Sequence, residues 1–210
     1  IEGVVAARPA GTANAKLPTG QVEIHASAVE ILNPSKTPPF ELTDDIKADE
    51  NLRIQYRYLD LRRQLMQRNL KLRHKAMLEV RNFLDGEGFW EVETPLLWKS
   101  TPEGAREFPV PSSGQPGKAF VLPQSPQICK QLLMVGGIEK YFQIAKCFRD
   151  ETARSDRFLE FTQIDLEMSF VTQDDVLDVW ERMFAHVMKA VKGIDIPLPF
   201  PRITYAESMT

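Results

Sequence analysis

Between Tyr141 and Phe170 the chain reads YFQIAKCFRDETARSDRFLEFTQIDLEMSF, a stretch whose aromatic and charged residues alternate. In its second half Phe161, Gln163, Asp165 and Glu167 recur at every other position. An extended chain sends those four to one face and Ile164, Leu166, Met168 and Phe170 to the other. In the first half Arg149 shares parity with Cys147, Ala145 and Gln143, while Phe142, Ile144 and Phe148 lie opposite. If the halves pair as a hairpin, a guanidinium, an aromatic ring and carboxylates line one floor. That set suits a nucleotide: an arginine fork grips phosphate, a flat ring supports a base, and carboxylates hold an ammonium group or Mg²⁺. The plainer reading of the same pattern is a solvated sheet face laced with ion pairs, and alternation alone leaves both open.

The elements that must position this floor are visible on either side. From Arg68 to Asp85, Leu70, Met77, Val80, Phe83 and Leu84 fall near helical spacing, and Gly86 follows as a stop. The next run, GFWEVETP, alternates and closes on Pro95, as an edge strand does. Residues 123–137, PQSPQICKQLLMVGG, predict a short helix with Ser125 as N-cap, Pro126 at the first helical position and Gly136-Gly137 at its end. Gln127 and Lys130 then project from one side of it. A longer helix is expected from Asp174 to Lys192, with Val176, Val179, Trp180, Met183, Phe184, Val187 and Val191 as its core stripe. Residues 1–32 hold two β-prone runs and read as a hairpin from a small β domain. Residues 33–50, rich in Pro and Asp, read as a linker.

Composition narrows the function class. The 210 residues are 43% hydrophobic, enough for a core, and the net charge of -3 gives no global attraction to nucleic acid. Any such partner must be held by local Lys and Arg. Two cysteines, Cys129 and Cys147, argue for a reducing compartment and against a disulfide scaffold or a zinc site. His25, His74 and His186 lack ligand spacing, so no metal site is assigned. Without an apolar run near membrane length, the expected place is the cytoplasm, with no membrane partner. The start at Ile1 and the end at Thr210 suggest a piece of something longer.

CFRDE, a charged loop and then EFTQIDLEMSF together resemble motif 2 of the class II aminoacyl-tRNA synthetases, with wording similar to the bacterial aspartyl enzymes. TPPF, RYLDLRR, FWEVETP as motif 1, STPEGARE and LPQSPQICKQLLMVGG agree and follow the family's order along essentially the whole chain. The resemblance implies an α+β fold: residues 51–210 as the first part of a catalytic domain, an antiparallel sheet flanked by helices. Residues 1–32 would be the end of an all-β OB-fold anticodon-binding domain, with 33–50 as the hinge. It also implies ATP and Mg²⁺ as cofactors, L-aspartate and tRNA as partners (that for aspartate, and possibly that for asparagine too), and a homodimer through motif 1 with Phe89, Trp90 and Val92 contributing.

The same resemblance distributes roles. Arg149 holds the ATP α-phosphate, with Glu151 near the adenine and the tRNA end; Phe161 stacks on adenine, and Gln163 joins the ATP floor. Lys130 pairs with the substrate's side-chain carboxylate, which favours aspartate over its amide. Glu103, Ser125, Gln127 and Asp165 hold the α-ammonium. Arg154 and Arg157 meet the tRNA acceptor end. Thr152 and Phe158-Leu159 depart from the family's loop, which weakens the acceptor-end assignment. Motif 3, with its γ-phosphate arginine, has no counterpart before Thr210, so the 210-residue piece alone is expected to be inactive in forming the adenylate. The alternatives are an asparaginyl or lysyl relative, or a non-catalytic RNA-binding paralogue.

Overall fold

The computed structural model describes residues 1–101 and 103–210; Pro102, in the motif STPEGARE, lies outside the described residues. The chain forms two compact units, Ile1–Gln64 and Leu65–Thr210.

In the first unit β1 (Glu2–Ala7) and β2 (Val22–Ala28) pair antiparallel, as the two β-prone runs predict. The segment read as linker leads into two short helices that were not foreseen, α1 (Glu50–Gln55), capped by the Asp49 side chain, and α2 (Arg57–Asp60). Beyond α2, Arg63 turns back onto the 43–44 backbone, donating from Nε to the Thr43 carbonyl at 2.9 Å and from Nη2 to the Asp44 carbonyl at 3.1 Å. Its Nη1 donates to Asp60 Oδ1 at 2.8 Å, and both side chains are buried.

The second unit is built around α3 (Gln64–Gly86) and a three-stranded sheet. The sheet holds β3 (Trp90–Glu91), then, after the hairpin β4 (Pro109–Pro111) and β5 (Ala119–Val121) and helix α4 (Gln127–Val135), the long strands β6 (Lys140–Phe148) and β7 (Glu160–Met168). β6 and β7 are antiparallel; β3 runs parallel to β6, so the sheet is mixed at that edge. Helix α5 (Gln173–Lys192) and a final turn, α6 (Tyr205–Ser208), complete the unit.

The ends of the helices follow local chemistry. Thr172 and Asp175 close α5 with a capping box, and Gly193 leaves it in the left-handed region at φ 70. Gly137, at φ 92, does the same after α4, where the Ile138 N–H reaches the Leu133 carbonyl at 3.0 Å. The start of α4 differs from expectation: the N-cap is Pro126 and the helix begins at Gln127. Ser125 stands one residue further out, yet its hydroxyl still accepts the Gln127 N–H at 3.3 Å.

Period-two alternation decides the layers. Phe142 of β6 joins Val80 and Leu84 of α3, Phe89, and Val179 and Met183 of α5 in one core, with Ile144, Leu166 and Met168 packed against it. Truncating a residue so enclosed, such as Leu84→Ala, costs about 2–5 kcal/mol. The opposite sheet face carries the polar set and meets α4. Two expectations fail here. β7 ends at Met168, and Phe170 is 95% exposed with φ 58 as the chain turns toward Thr172, so it is no core residue. Phe89 is only 2% exposed within this core, which leaves Trp90, not Phe89, as the exposed aromatic of that segment.

Candidate functional site

The register of β6 against β7 sets Cys147 across from Phe161, Ala145 from Gln163, Gln143 from Asp165 and Tyr141 from Glu167. The polar floor read from parity therefore exists. Just past the end of β6, Arg149 lies with its guanidinium 5.2 Å from the centre of the Phe161 ring. Such a contact attracts the guanidinium to the ring face. The Arg149 N–H donates to the Leu159 carbonyl at 2.8 Å, which fixes the backbone, but its Nε is buried and has no hydrogen-bond partner among the described residues. A buried donor left open costs free energy unless something fills it.

Helix α4 supplies the second part. Lys130, one turn into the helix on the same side as Gln127, is buried against the sheet rather than exposed. Its Nζ donates to Asp165 Oδ1 at 2.8 Å and lies 3.2 Å from Glu167 Oε2. Burial works to lower the Lys130 value, but the hydrogen bond and charge of Asp165, then those of Glu167, outweigh it and hold it above the usual lysine range. Asp165 is also raised, by burial first and by Glu167 in addition, against the opposing pull of Lys130. Both directions follow from one imbalance: two carboxylates face a single ammonium, and the excess negative charge favours protons on all of them. Asp165 Oδ2 is buried with no hydrogen-bond partner among the described residues.

Glu103 reaches the same region from the loop before β4. Its carboxylate accepts the Ser125 hydroxyl at 2.7 Å and the Thr101 hydroxyl at 3.2 Å. Beneath the floor the buried Cys147 thiol reports the convergence. Burial, then the charge of Asp165, push it up to about 11, and Arg149, Glu103 and Lys130 all act on it as well. Its Sγ donates to Gln163 Oε1 at 3.3 Å. Arg149, Phe161, Gln163, Lys130, Asp165, Glu103 and Ser125 are thus gathered in one place, from residues up to 62 apart in a chain of 210.

The acceptor-end residues stand apart. Arg154 and Arg157 exchange backbone hydrogen bonds at 2.9 and 3.1 Å in a tight turn between the strands, and both side chains are exposed. Glu151 Oε2 lies 3.5 Å from Arg157 Nη1. Sequence reasoning passed over four polar residues beneath the site. Gln143, buried, accepts the Tyr141 and Thr94 hydroxyls at 2.9 Å each. Gln124, also buried, brackets the backbone of Ala105. Tyr141 and Gln143 share the floor's parity, a signal that was available; nothing local marked Gln124 or Thr94. The β4–β5 hairpin was also missed, although SSGQPG between two short β-prone runs is a turn signal.

A paired-strand floor with an arginine beside an aromatic ring thus faces a helix whose lysine is buried against it. Residues 49–210 match the family described as tRNA synthetases class II (D, K and N), and the chain belongs to that family. It is 60% identical over its whole length to an aspartate–tRNA ligase of Geobacillus kaustophilus (strain HTA426), covering 36% of that protein. It is 59% identical, again over its whole length, to an aspartate–tRNA(Asp/Asn) ligase of Geobacillus sp. (strain WCH70), covering 35% of it. The chain therefore spans about a third of the length of these curated relatives. In fold it is similar to the crystal structure of asparaginyl-tRNA synthetase from Pyrococcus horikoshii complexed with asparaginyl-adenylate. The TM-score is 0.76 at 23% identity, over 91% of this chain and 42% of that one.

Proposed function

We propose that this chain is the part of an aspartate–tRNA ligase that binds L-aspartate and the α-phosphate and adenine of ATP. The observation that carries the reading is the buried Lys130–Asp165–Glu167 cluster beside Arg149 and Phe161. An ammonium group has three N–H donors, and two of those on Lys130 face carboxylates. The third is available to a substrate carboxylate, while the unpartnered Asp165 Oδ2 is available to a substrate ammonium. L-Aspartate carries both groups and meets each with its opposite; an amide side chain would leave the lysine underused, which a polar site penalises heavily.

In the reaction, an α-carboxylate oxygen of aspartate attacks the α-phosphorus of ATP, the bond from that phosphorus to the bridging oxygen breaks, and pyrophosphate leaves with the electron pair. Arg149, with its open Nε, would meet the charge that builds on the α-phosphate, and the Phe161 ring would support adenine beside Gln163. A ribose hydroxyl at the tRNA end then attacks the activated carbonyl, AMP departs, and the hydroxyl proton is lost. Placement and charge supply the catalysis, without a covalent bond to the protein. For Mg²⁺ the described residues contain no group of three or more His, Cys, Asp or Glu able to hold a metal ion, so no step is derived through it.

The rest of the reading extends outward. Arg154 and Arg157, exposed in their turn, would contact the acceptor end of tRNA with Glu151 beside them. The β1–β2 hairpin would belong to an OB-fold that reads the anticodon, with residues 33–50 as the hinge to a catalytic domain from 51 onward. Trp90, 65% exposed, would contribute to a homodimer through the motif 1 segment. The free cysteines fit a cytoplasmic enzyme, and no helix among the described residues is long and apolar enough to cross a membrane. The test is aspartate-dependent ATP–pyrophosphate exchange by the full natural chain that contains this sequence. Lys130→Met should raise the aspartate KM about 100-fold, the scale of a lost charged hydrogen bond, and leave the ATP KM near its starting value. An unchanged aspartate KM would remove the substrate assignment.

A further inference from the structure

Gln124 is 2% exposed, and its amide is committed to one residue in both directions. Nε2 donates to the Ala105 carbonyl at 2.9 Å, and Oε1 accepts the Ala105 N–H at 3.0 Å. The segment bearing Gln124 is itself fixed: Leu122 N–H reaches the Phe108 carbonyl at 3.0 Å, and Phe148 N–H, at the end of β6, reaches the Pro123 carbonyl at 2.9 Å.

What Ala105 is joined to gives the clamp a purpose. Two residues earlier is Glu103, whose carboxylate takes the Ser125 hydroxyl at the amino-acid end of the site. One residue later is Arg106. Asp150 N–H donates to its carbonyl at 3.0 Å, and Arg106 Nε donates back to the Asp150 carbonyl at 3.0 Å, immediately beside Arg149. Residues 103–106 therefore bridge the two ends of the floor. Of the ties that hold this bridge, the Arg106 side chain is 77% exposed, whereas Gln124 is enclosed. Water can replace the exposed tie but not the enclosed one, since a buried amide stripped of its partner bears the full desolvation cost.

We propose that Gln124 is a positioning residue: by clamping Ala105 from both sides it holds Glu103 at the amino-acid end and Arg106 on the Asp150 backbone next to Arg149, so one buried side chain sets the geometry of both ends. The link to aspartate rests on the function proposed above, while the clamp itself does not.

Two measurements keep these apart. The first is trypsin cleavage after Arg106 in the native protein. Gln124→Ala removes two neutral hydrogen bonds and should speed that cut about 30-fold over cuts elsewhere. An equal rate would overturn the clamp, whatever the enzyme does. The second is steady-state exchange kinetics in the full natural chain. Gln124→Ala should raise the aspartate KM about 30-fold through the Glu103 end and also lower kcat through the Arg149 end, where charge builds only in the transition state.

Gln124→Glu sharpens the result and keeps it decisive if the alanine variant does not fold. An ionised carboxylate still accepts the Ala105 N–H but cannot donate to its carbonyl; a protonated one can do both. Its aspartate KM should therefore stand about 10-fold above the unaltered protein at pH 8 and converge on it as the pH is lowered toward 5. A variant that melts earlier but keeps its aspartate KM at every pH would show a merely structural glutamine and overturn the proposal. If the unaltered chain shows no amino-acid-dependent exchange, the functional reading fails while the trypsin comparison still decides the clamp.

Discussion

Asp60 and Lys130 are both buried charges with partners, one in each compact unit, yet their surroundings are balanced differently. Both oxygens of Asp60 are taken, Oδ1 by Arg63 at 2.8 Å and Oδ2 by Arg57 at 2.7 Å. Arg63 spends its remaining nitrogens on the carbonyls of Thr43 and Asp44. Burial works to raise Asp60, but the hydrogen bond and charge of Arg63, then Arg57 and Arg53, hold it below the usual carboxylate range. Around Lys130 the balance is broken: two carboxylates share one ammonium, Asp165 is raised, and its second oxygen is open. A closed set of buried charges serves the fold. A buried set with a spare donor, a spare acceptor and unneutralised charge keeps capacity for something that arrives later.

The comparison can be broken where it predicts most. Asp60→Asn leaves the buried Arg63 with only the exposed Asp44 carboxylate, 3.9 Å away, as counter-charge and should cost about 3–5 kcal/mol of stability in the first unit, read from urea unfolding. A loss below about 1 kcal/mol would show that Arg63 escapes to water and that the cluster is not closed.

Lys130→Met should cost less, about 2 kcal/mol at pH 7, because the stranded Asp165 can take up a proton whereas Arg63 cannot give one up. The signs can be followed group by group. In the intact protein Lys130 is raised, so its contribution is whole below its ordinary value of 10.5 and is lost as pH climbs through the raised one. Asp165 is raised as well, so its cost is present at neutral pH and fades as pH falls through the raised value toward 3.8. The deficit of the variant should therefore shrink between pH 7 and 4; a constant deficit would mean that packing, not charge, is what Lys130 supplies.

A third pair sets the lower limit. Glu87 meets Arg182 at 2.6 and 2.9 Å, but both remain about a third exposed, where solvent screens them. The hydrogen bond from Arg182 comes first in holding Glu87 below its ordinary 4.5, so its contribution is present above that value and lost as pH falls through the lowered one. Glu87→Gln should cost only about 0.5 kcal/mol at pH 7, a cost that fades as the pH falls below 4.5 and through the lowered value. A larger loss would place this pair with the buried clusters.

How much of this could be read in advance differs by residue. The floor was legible because strand parity is set by the chain itself: Phe161, Gln163 and Asp165 share a face in any extended conformation. The ends of α5 were legible through Gly193 and the stripe from Val176 to Val191. Other features were hidden in residue types that are usually solvent-facing. Asp60 and Arg63 carry no local mark of burial, since such residues are mostly exposed. Gln124 is bound to a residue 19 positions away and shows no periodicity at all. Phe89 and Phe170 were misplaced for the opposite reason: their chemistry was read correctly, but the bend after α3 drove one inward and the left-handed turn after β7 put the other in solvent.

By itself the sequence determined which side chains lie on one face of each strand and helix, and where several helices stop, because backbone geometry and capping act within a few residues. It also carried the motifs of a tRNA synthetase family. Only the tertiary structure decided that Lys130 is enclosed between Asp165 and Glu167, that Arg149 lies on Phe161, and that Ala105 is clamped by Gln124. Those facts depend on contacts between distant segments, where burial turns an ordinary polar group into one that must find a partner or await one.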